Sequence, residues 1–185
     1  MRAIVPGLFA LGCLLIAAPA DARKSGPPRT VIDTVVIHST GGPTCDPRTR
    51  RIEWIKGGAL DTNMRVIEAH PTLGIHYMIG RDGALRKSIP ENQIGHHVVG
   101  HSERSIAIEL VNDGDGRDPF PPEQLGVLVK LLRDITTRHQ IPRERVVRHS
   151  DLDQSVLWCN RQMRRKVDPG PAFPYDKVLY AVYYR

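Results

Sequence analysis

Val31-Ile32-Asp33-Thr34-Val35-Val36-Ile37-His38 is mostly apolar and rich in β-branched side chains, the pattern of a buried strand. Ser39-Thr40-Gly41-Gly42-Pro43 breaks it. Further along, Ser105 to Val111 reads as a second strand, with Ile106, Ile108 and Leu110 on one face and Ala107, Glu109 and Val111 on the other. Ile75 to Ile79 and Leu85 to Ile89 flank Arg81-Asp82-Gly83, a hairpin around an Asp-Gly turn. Arg145 to Arg148 is a short strand that runs into His149. Between the strands lie helical patterns. Asp61 to Ala69 has Met64, Ile67 and Glu68 at helical spacing and Asp61 as N-cap. A longer helix opens at Pro121 or Pro122 and runs to about His139, with Leu125, Leu128, Val129, Leu132 and Ile135 as its apolar stripe. Tyr175 to Tyr184 forms a C-terminal helix. Residues 44–60 read as irregular and 150–171 as a long loop. Strands mixed with helices, without internal repeats, imply a single α/β domain over residues 31–185, with a central mixed β-sheet flanked by helices.

The ends of the chain bear on location. Met1-Arg2 precedes an apolar run from Ala3 to Pro19, which closes on Ala20-Asp21-Ala22, the small-residue pattern of a cleavable signal peptide over residues 1–22. A transmembrane anchor is the competing reading, but the run is shorter than the ~20 residues a spanning helix needs. A lipid on Cys13 is another, opposed by the apolar Leu14, Leu15 and Ile16 that follow. Cleavage after Ala22 would leave residues 23–30 as a flexible lead-in, and no membrane span. Export to the periplasm, or secretion, is the expectation. Net charge is +6, which favours anionic polymers in general. Aromatic residues are only 5% and the basic ones are scattered, so no stacking platform for nucleic acid is evident. Cys45 and Cys159 survive cleavage; an even pair in an oxidising compartment suggests one disulfide, with two free thiols or a thiolate metal ligand as alternatives.

Two strand-like runs, Val35-Val36-Ile37-His38 and Val146-Val147-Arg148-His149, end in histidine. Sites in open α/β sheets gather beyond the carboxyl ends of strands, so the two imidazoles could share a metal. Each alone reads more readily as a hydrogen-bonded structural residue. Lys166-Val167-Asp168-Pro169-Gly170-Pro171 adds a carboxylate in a Pro/Gly turn. Two histidines and one carboxylate leave a zinc ion an open fourth position, as catalysis requires.

The ordered set IHST, GIHYMIGRDG, SIAIELVN, RHSDL and KVDPGPAFPY resembles the AmpD-type N-acetylmuramoyl-L-alanine amidases, relatives of the peptidoglycan recognition proteins and of a phage amidase lysozyme. It covers roughly residues 31–176. The resemblance implies a zinc enzyme that cuts the bond between N-acetylmuramic acid and L-alanine, with peptidoglycan or a muropeptide as its partner and a monomeric state. It implies one Zn2+ per chain on His38, His149 and Asp168, a catalytic glutamate at Glu109, an oxyanion-stabilising lysine at Lys166, and His76 and His97 near the substrate. The sequence departs from the family pattern in places. Ala107 replaces a glycine; Ile75 stands where other relatives carry a tyrosine, which leaves Glu109 as the base. His96 and Val99 alter the segment around His97. The loop from Asp153 to Arg165 is lengthened and carries Trp158 and Cys159. If His38 and His149 share a metal, this loop lies beside the one holding Cys45, and a Cys45–Cys159 bridge becomes reasonable; Cys159 as ligand is the alternative. A non-catalytic peptidoglycan-binding module is the second functional reading, although such modules typically lack a zinc ligand and this chain has all three.

Overall fold

A computed structural model describes residues 25–184. The expected signal peptide at residues 1–22, with Cys13, lies outside the described residues. In chain order the first elements are β1 (Ser25–Pro28), β2 (Thr34–Ser39), β3 (Gly42–Cys45), β4 (Ile52–Ile55), α1 (Leu60–Ala69), β5 (Tyr77–Ile79), β6 (Leu85–Lys87) and β7 (Gln93–Gly95). They are followed by β8 (Ser105–Leu110), α2 (Pro122–His139), β9 (Val146–Arg148), α3 (His149–Leu152), β10 (Val156–Leu157), β11 (Asn160–Arg164) and α4 (Tyr175–Tyr184).

The central sheet has five strands in the order β6-β5-β8-β2-β9. It is mixed: β5, β8, β2 and β9 run parallel, and β6 closes one edge antiparallel to β5. Alternation along β8 divides the interior as its sequence predicts. Ile106, Ile108 and Leu110 join Val35 and Ile37 in the larger core, packed against Leu128, Leu132 and Ile135 of α2 and Val178, Leu179 and Val182 of α4. Ala107, with Val111 just beyond the strand, faces the other way, into a smaller cluster with Met64 of α1, Ile75 and Met78. Covering both faces is what lets parallel strands be apolar throughout. Gln124 of α2 is buried and donates to the carbonyls of Ile79 and Val111, tying the helix to the ends of β5 and β8.

Several expectations are corrected. Residues 44–60 are not irregular: β3 and β4 pair as an antiparallel hairpin, with Asp46 Oδ1 accepting the Arg48 and Thr49 N–H groups in the turn. The 150–171 segment is not a bare loop, since α3 and the β10–β11 hairpin occupy it. The lead-in is paired at Ser25–Pro28, antiparallel to β7. Next to it, Arg29 sends its guanidinium inward to the carbonyls of Glu91 (2.8 Å) and Ser105 (2.6 Å). Helix α1 is capped at Ala59 rather than Asp61; Asp61 sits in the first turn, where a carboxylate complements the helix N-terminus. Among the described residues no helix is long and apolar enough to cross a membrane.

Candidate active site

Strand register assembles the site. His38 lies opposite Glu109, and Glu109 opposite Met78, so these side chains share one face of the sheet. Ile37 pairs with Arg148, which puts His149, one residue past β9, beside His38. His149 opens α3, whose start is fixed by Asp151 accepting the Arg148 backbone N–H at 2.9 Å. The third residue arrives from the far end of the chain. The turn after β11 carries Asp168, whose carbonyl accepts the Ser150 N–H at 3.0 Å. Gly170 makes that turn possible. Its φ is +92°, and a Cβ there would lie 2.5 Å from the Gly114 carbonyl oxygen.

The result is a buried trio. His149 Nδ1 lies 3.0 Å and His38 Nδ1 3.3 Å from Asp168 Oδ2. The three candidate ligand atoms lie within 4.8 Å of one another, so the cluster can hold a metal ion. Burial pushes the Asp168 carboxyl up, but its bonds with His149 and His38 outweigh that and hold it well below the usual range. Burial lowers the His38 pKa, partly offset by Asp168. Both effects favour a bare imidazole and a carboxylate, the states that bind metal.

Beside the trio is a cavity of about 250 Å³. Glu109, His97, Lys166 and the trio line it. Glu109 Oε2 has no hydrogen-bond partner. Burial first, and the Asp168 charge second, push the Glu109 carboxyl up to about 8, with Lys166 opposing. One wall is apolar, with Ile55, Val66, Ile67 and Leu73; Arg165 joins Lys166 elsewhere on the lining. Ile55, Val66 and Leu73 were not singled out from sequence, since exposed apolar residues carry no chemical signature before the fold brings them together.

His76 does not reach the cavity. It is fully buried, accepts the Ala107 N–H on Nδ1 at 2.9 Å, and approaches the Gln93 carbonyl with Nε2 at 3.1 Å. Burial lowers its pKa to about 4. Its neighbours make it a structural link between β7 and β8 rather than a substrate contact. Cys45 and Cys159 form a disulfide, which joins the β3–β4 hairpin to the β10–β11 hairpin and removes Cys159 as a ligand. Asp153, named from sequence only as the start of the lengthened loop, lies 3.9 Å from His149 Nε2 and is paired with Arg165. Its i,i+4 spacing from His149 was the available signal.

Comparison with known proteins accords with this geometry. The N-acetylmuramoyl-L-alanine amidase family matches residues 28–171. The chain belongs to that family. A curated relative, the N-acetylmuramoyl-L-alanine amidase AmiD of Escherichia coli (strain K12), is 36% identical over 84 residues, 42% of this chain and 27% of the relative. A putative N-acetylmuramoyl-L-alanine amidase, RC0497, of Rickettsia conorii is 26% identical over 121 residues, 58% of this chain and 42% of the relative. The chain thus spans less than half the length of these two amidases. Among solved structures, the complex of E. coli AmiD with the substrate anhydro-N-acetylmuramic acid-L-Ala-D-γ-Glu-L-Lys superposes with a TM-score of 0.63 at 24% identity, over 86% of this chain and 61% of that one. An AmpD derivative gives 0.58 at 20% identity, over 87% and 95%. At these identities the likeness is one of fold.

Proposed function

We propose that this amidase-family chain is a zinc-dependent hydrolase of the amide bond between N-acetylmuramic acid and L-alanine, in peptidoglycan or its muropeptide fragments. The observation that carries the reading is the convergence of two imidazole nitrogens and one carboxylate oxygen next to an unpartnered glutamate in a family-matched fold. The donor set fits zinc: two histidines and one carboxylate, with room left for a fourth ligand, are a catalytic rather than a structural complement. His38, His149 and Asp168 would hold the zinc, which would supply Lewis acidity for activating a water and polarising the amide carbonyl. Glu109 takes the proton of the attacking water and passes it to the leaving L-alanine nitrogen. Lys166 places a cation where the carbonyl oxygen gains charge.

The test is mass spectrometry of the products from intact sacculi and from soluble anhydro-muropeptides. Peptides beginning at L-alanine should appear, dipicolinate should stop their release, and zinc should restore it. His38→Ala, His149→Ala and Asp168→Ala should each lose the metal. Undiminished turnover by metal-free protein would overturn the zinc reading, and intact amide bonds on both substrates would overturn the activity. Export after cleavage at Ala22 belongs to the same proposal, supported by the Cys45–Cys159 disulfide, a bond typical of oxidising compartments. N-terminal mapping of the recovered protein should find Arg23 first; a retained leader or a lipid on Cys13 would make the enzyme membrane-anchored instead.

A further inference from the structure

The two outlying hairpins meet at an exposed tryptophan. Trp158, in the β10–β11 turn, is 56% exposed, and the Arg50 guanidinium of the β3–β4 turn lies over its ring, 5.9 Å from the centroid. Trp54, on the same hairpin as Arg50, makes the contrast: it is half-buried, and its Nε1 donates to the Asp113 carbonyl at 2.6 Å. Around Trp158 the exposed cations Arg48, Arg50, Arg51 and Arg161 outweigh Asp46 and Glu53, and among the described residues no ion pair holds any of these arginines. Asp46 is itself occupied within the turn, accepting the Arg48 and Thr49 N–H groups. Arg50 takes a φ of +57°, a left-handed backbone that costs arginine more than glycine or asparagine. The Cys45–Cys159 bond joins the two turns at this point, next to Trp158 on one side and Asp46 on the other. It holds the ring and the arginines in a fixed relation. Tryptophan and arginine are the residues in which binding centres are enriched, and holding them in place beforehand lowers the ordering cost of binding.

We propose that the paired turns form an accessory binding site for uncut peptidoglycan, in which Trp158 stacks on a sugar ring of the glycan strand and the arginines meet carboxylates of its stem peptides. Charge and continuity identify the occupant. With a guanidinium on one face, the tryptophan ring keeps its other face for a flat, partly apolar ring such as a saccharide. Arginine forks match carboxylates. Both hairpins also run into the catalytic cavity. Ile55 ends β4 in its wall, and Arg165 and Lys166 follow β11 in its lining. Ile52 to Ile55 spans ~10 Å of strand, so the accessory site lies beyond the cavity but along the same polymer. The proposal rests on the reading of peptidoglycan as the substrate, and it favours the polymer over short soluble fragments.

Binding is measured by cosedimentation with intact sacculi, in a zinc-loaded Glu109→Gln background that leaves the wall uncut. It should weaken about 10-fold with Trp158→Ala, the scale of one aromatic anchor. Trp158→Tyr keeps a stacking face and should recover most of the loss. Arg50→Asn suits the left-handed backbone but removes the cation; it should weaken binding about 3–10-fold and lessen its salt dependence. With Glu109 restored, Trp158→Ala should slow peptide release from sacculi by a similar factor. Hydrolysis of soluble anhydro-muropeptides, held at the cavity alone, should stay within about 2-fold of the parent. Undiminished sacculus binding by folded Trp158→Ala and Arg50→Asn overturns the site, as does an equal loss of turnover on both substrates. Trp158-dependent binding to vesicles of anionic phospholipid, with none to sacculi, would overturn it in favour of a membrane contact. A parent that cuts neither substrate removes the amidase reading, while cosedimentation still decides the accessory site.

Discussion

At the scale of single residues, Glu109 is the side chain whose environment departs furthest from what its sequence neighbours suggest. Read as a strand residue alone, it would be an exposed carboxylate. In the sheet it lies opposite His38, with one oxygen unpartnered and its pKa pushed up to about 8 by burial and then by Asp168. A folded-state value above the unfolded 4.5 means that the folded protein holds a proton the unfolded chain releases. The associated stability is full below about pH 4.5 and is lost as pH rises through about 8. In metal-free protein Glu109→Gln, which cannot ionise, should therefore melt higher than the parent at pH 9 and gain no such advantage at pH 4.5. Equal differences at both values would show that Glu109 ionises freely. A cation at the proposed site would favour the carboxylate and, on the proposed mechanism, make Glu109 available as the base near neutral pH. Glu109→Gln should then keep its zinc but lose about 10²-fold or more in turnover, the usual scale for a general acid–base group. His38, His149 and Asp168 were legible because histidine at two strand ends and aspartate in a Pro/Gly turn are locally written. His76 was not, because resemblance alone placed it near the substrate, and only the fold reveals that its two nitrogens serve β7 and β8.

At the scale of elements, strands of the central sheet were legible because burial on both faces writes itself as apolar runs, and α2 because its stripe recurs at helical spacing. The two outlying hairpins were not. Gly42-Pro43-Thr44-Cys45 has poor strand propensity and earns its conformation from pairing with Ile52–Ile55. Val156–Leu157 is only two residues long and Asn160–Arg164 is mostly polar; they pair with each other, and the disulfide ties their hairpin to the β3–β4 hairpin. That bond joins positions 114 residues apart and connects the wall at Ile55 to the segment leading to Lys166 and Asp168. Replacing both cysteines by serine should cost about 2–4 kcal/mol in denaturant unfolding, chiefly by freeing the unfolded chain. The double variant and the reduced parent should lose equal stability. If neither loses any, the two hairpins are held by their other contacts and the bridge is dispensable.

At the scale of the whole molecule, the three candidate ligands come from the first strand of the sheet, the start of the short helix after its last, and the approach to the C-terminal helix. Parallel register brings the first two together, and the Ser150–Asp168 backbone bond brings in the third. A cation on all three therefore binds the folded chain and has no comparable site in the unfolded one, so its binding energy is also folding energy. At a free zinc concentration a hundred times the dissociation constant, the linkage amounts to about 2.7 kcal/mol. For a chain of this size each kcal/mol moves the midpoint by about 2–4 °C, so zinc should raise the melting temperature by about 5–10 °C. Dipicolinate should reverse the shift. Asp168→Ala removes the carboxylate that faces both imidazoles, and its melting temperature should not respond to zinc at all. A variant that still gained the full shift would locate the stabilising cation elsewhere on this histidine-bearing chain, and the fold would then be holding His38, His149 and Asp168 together for packing alone.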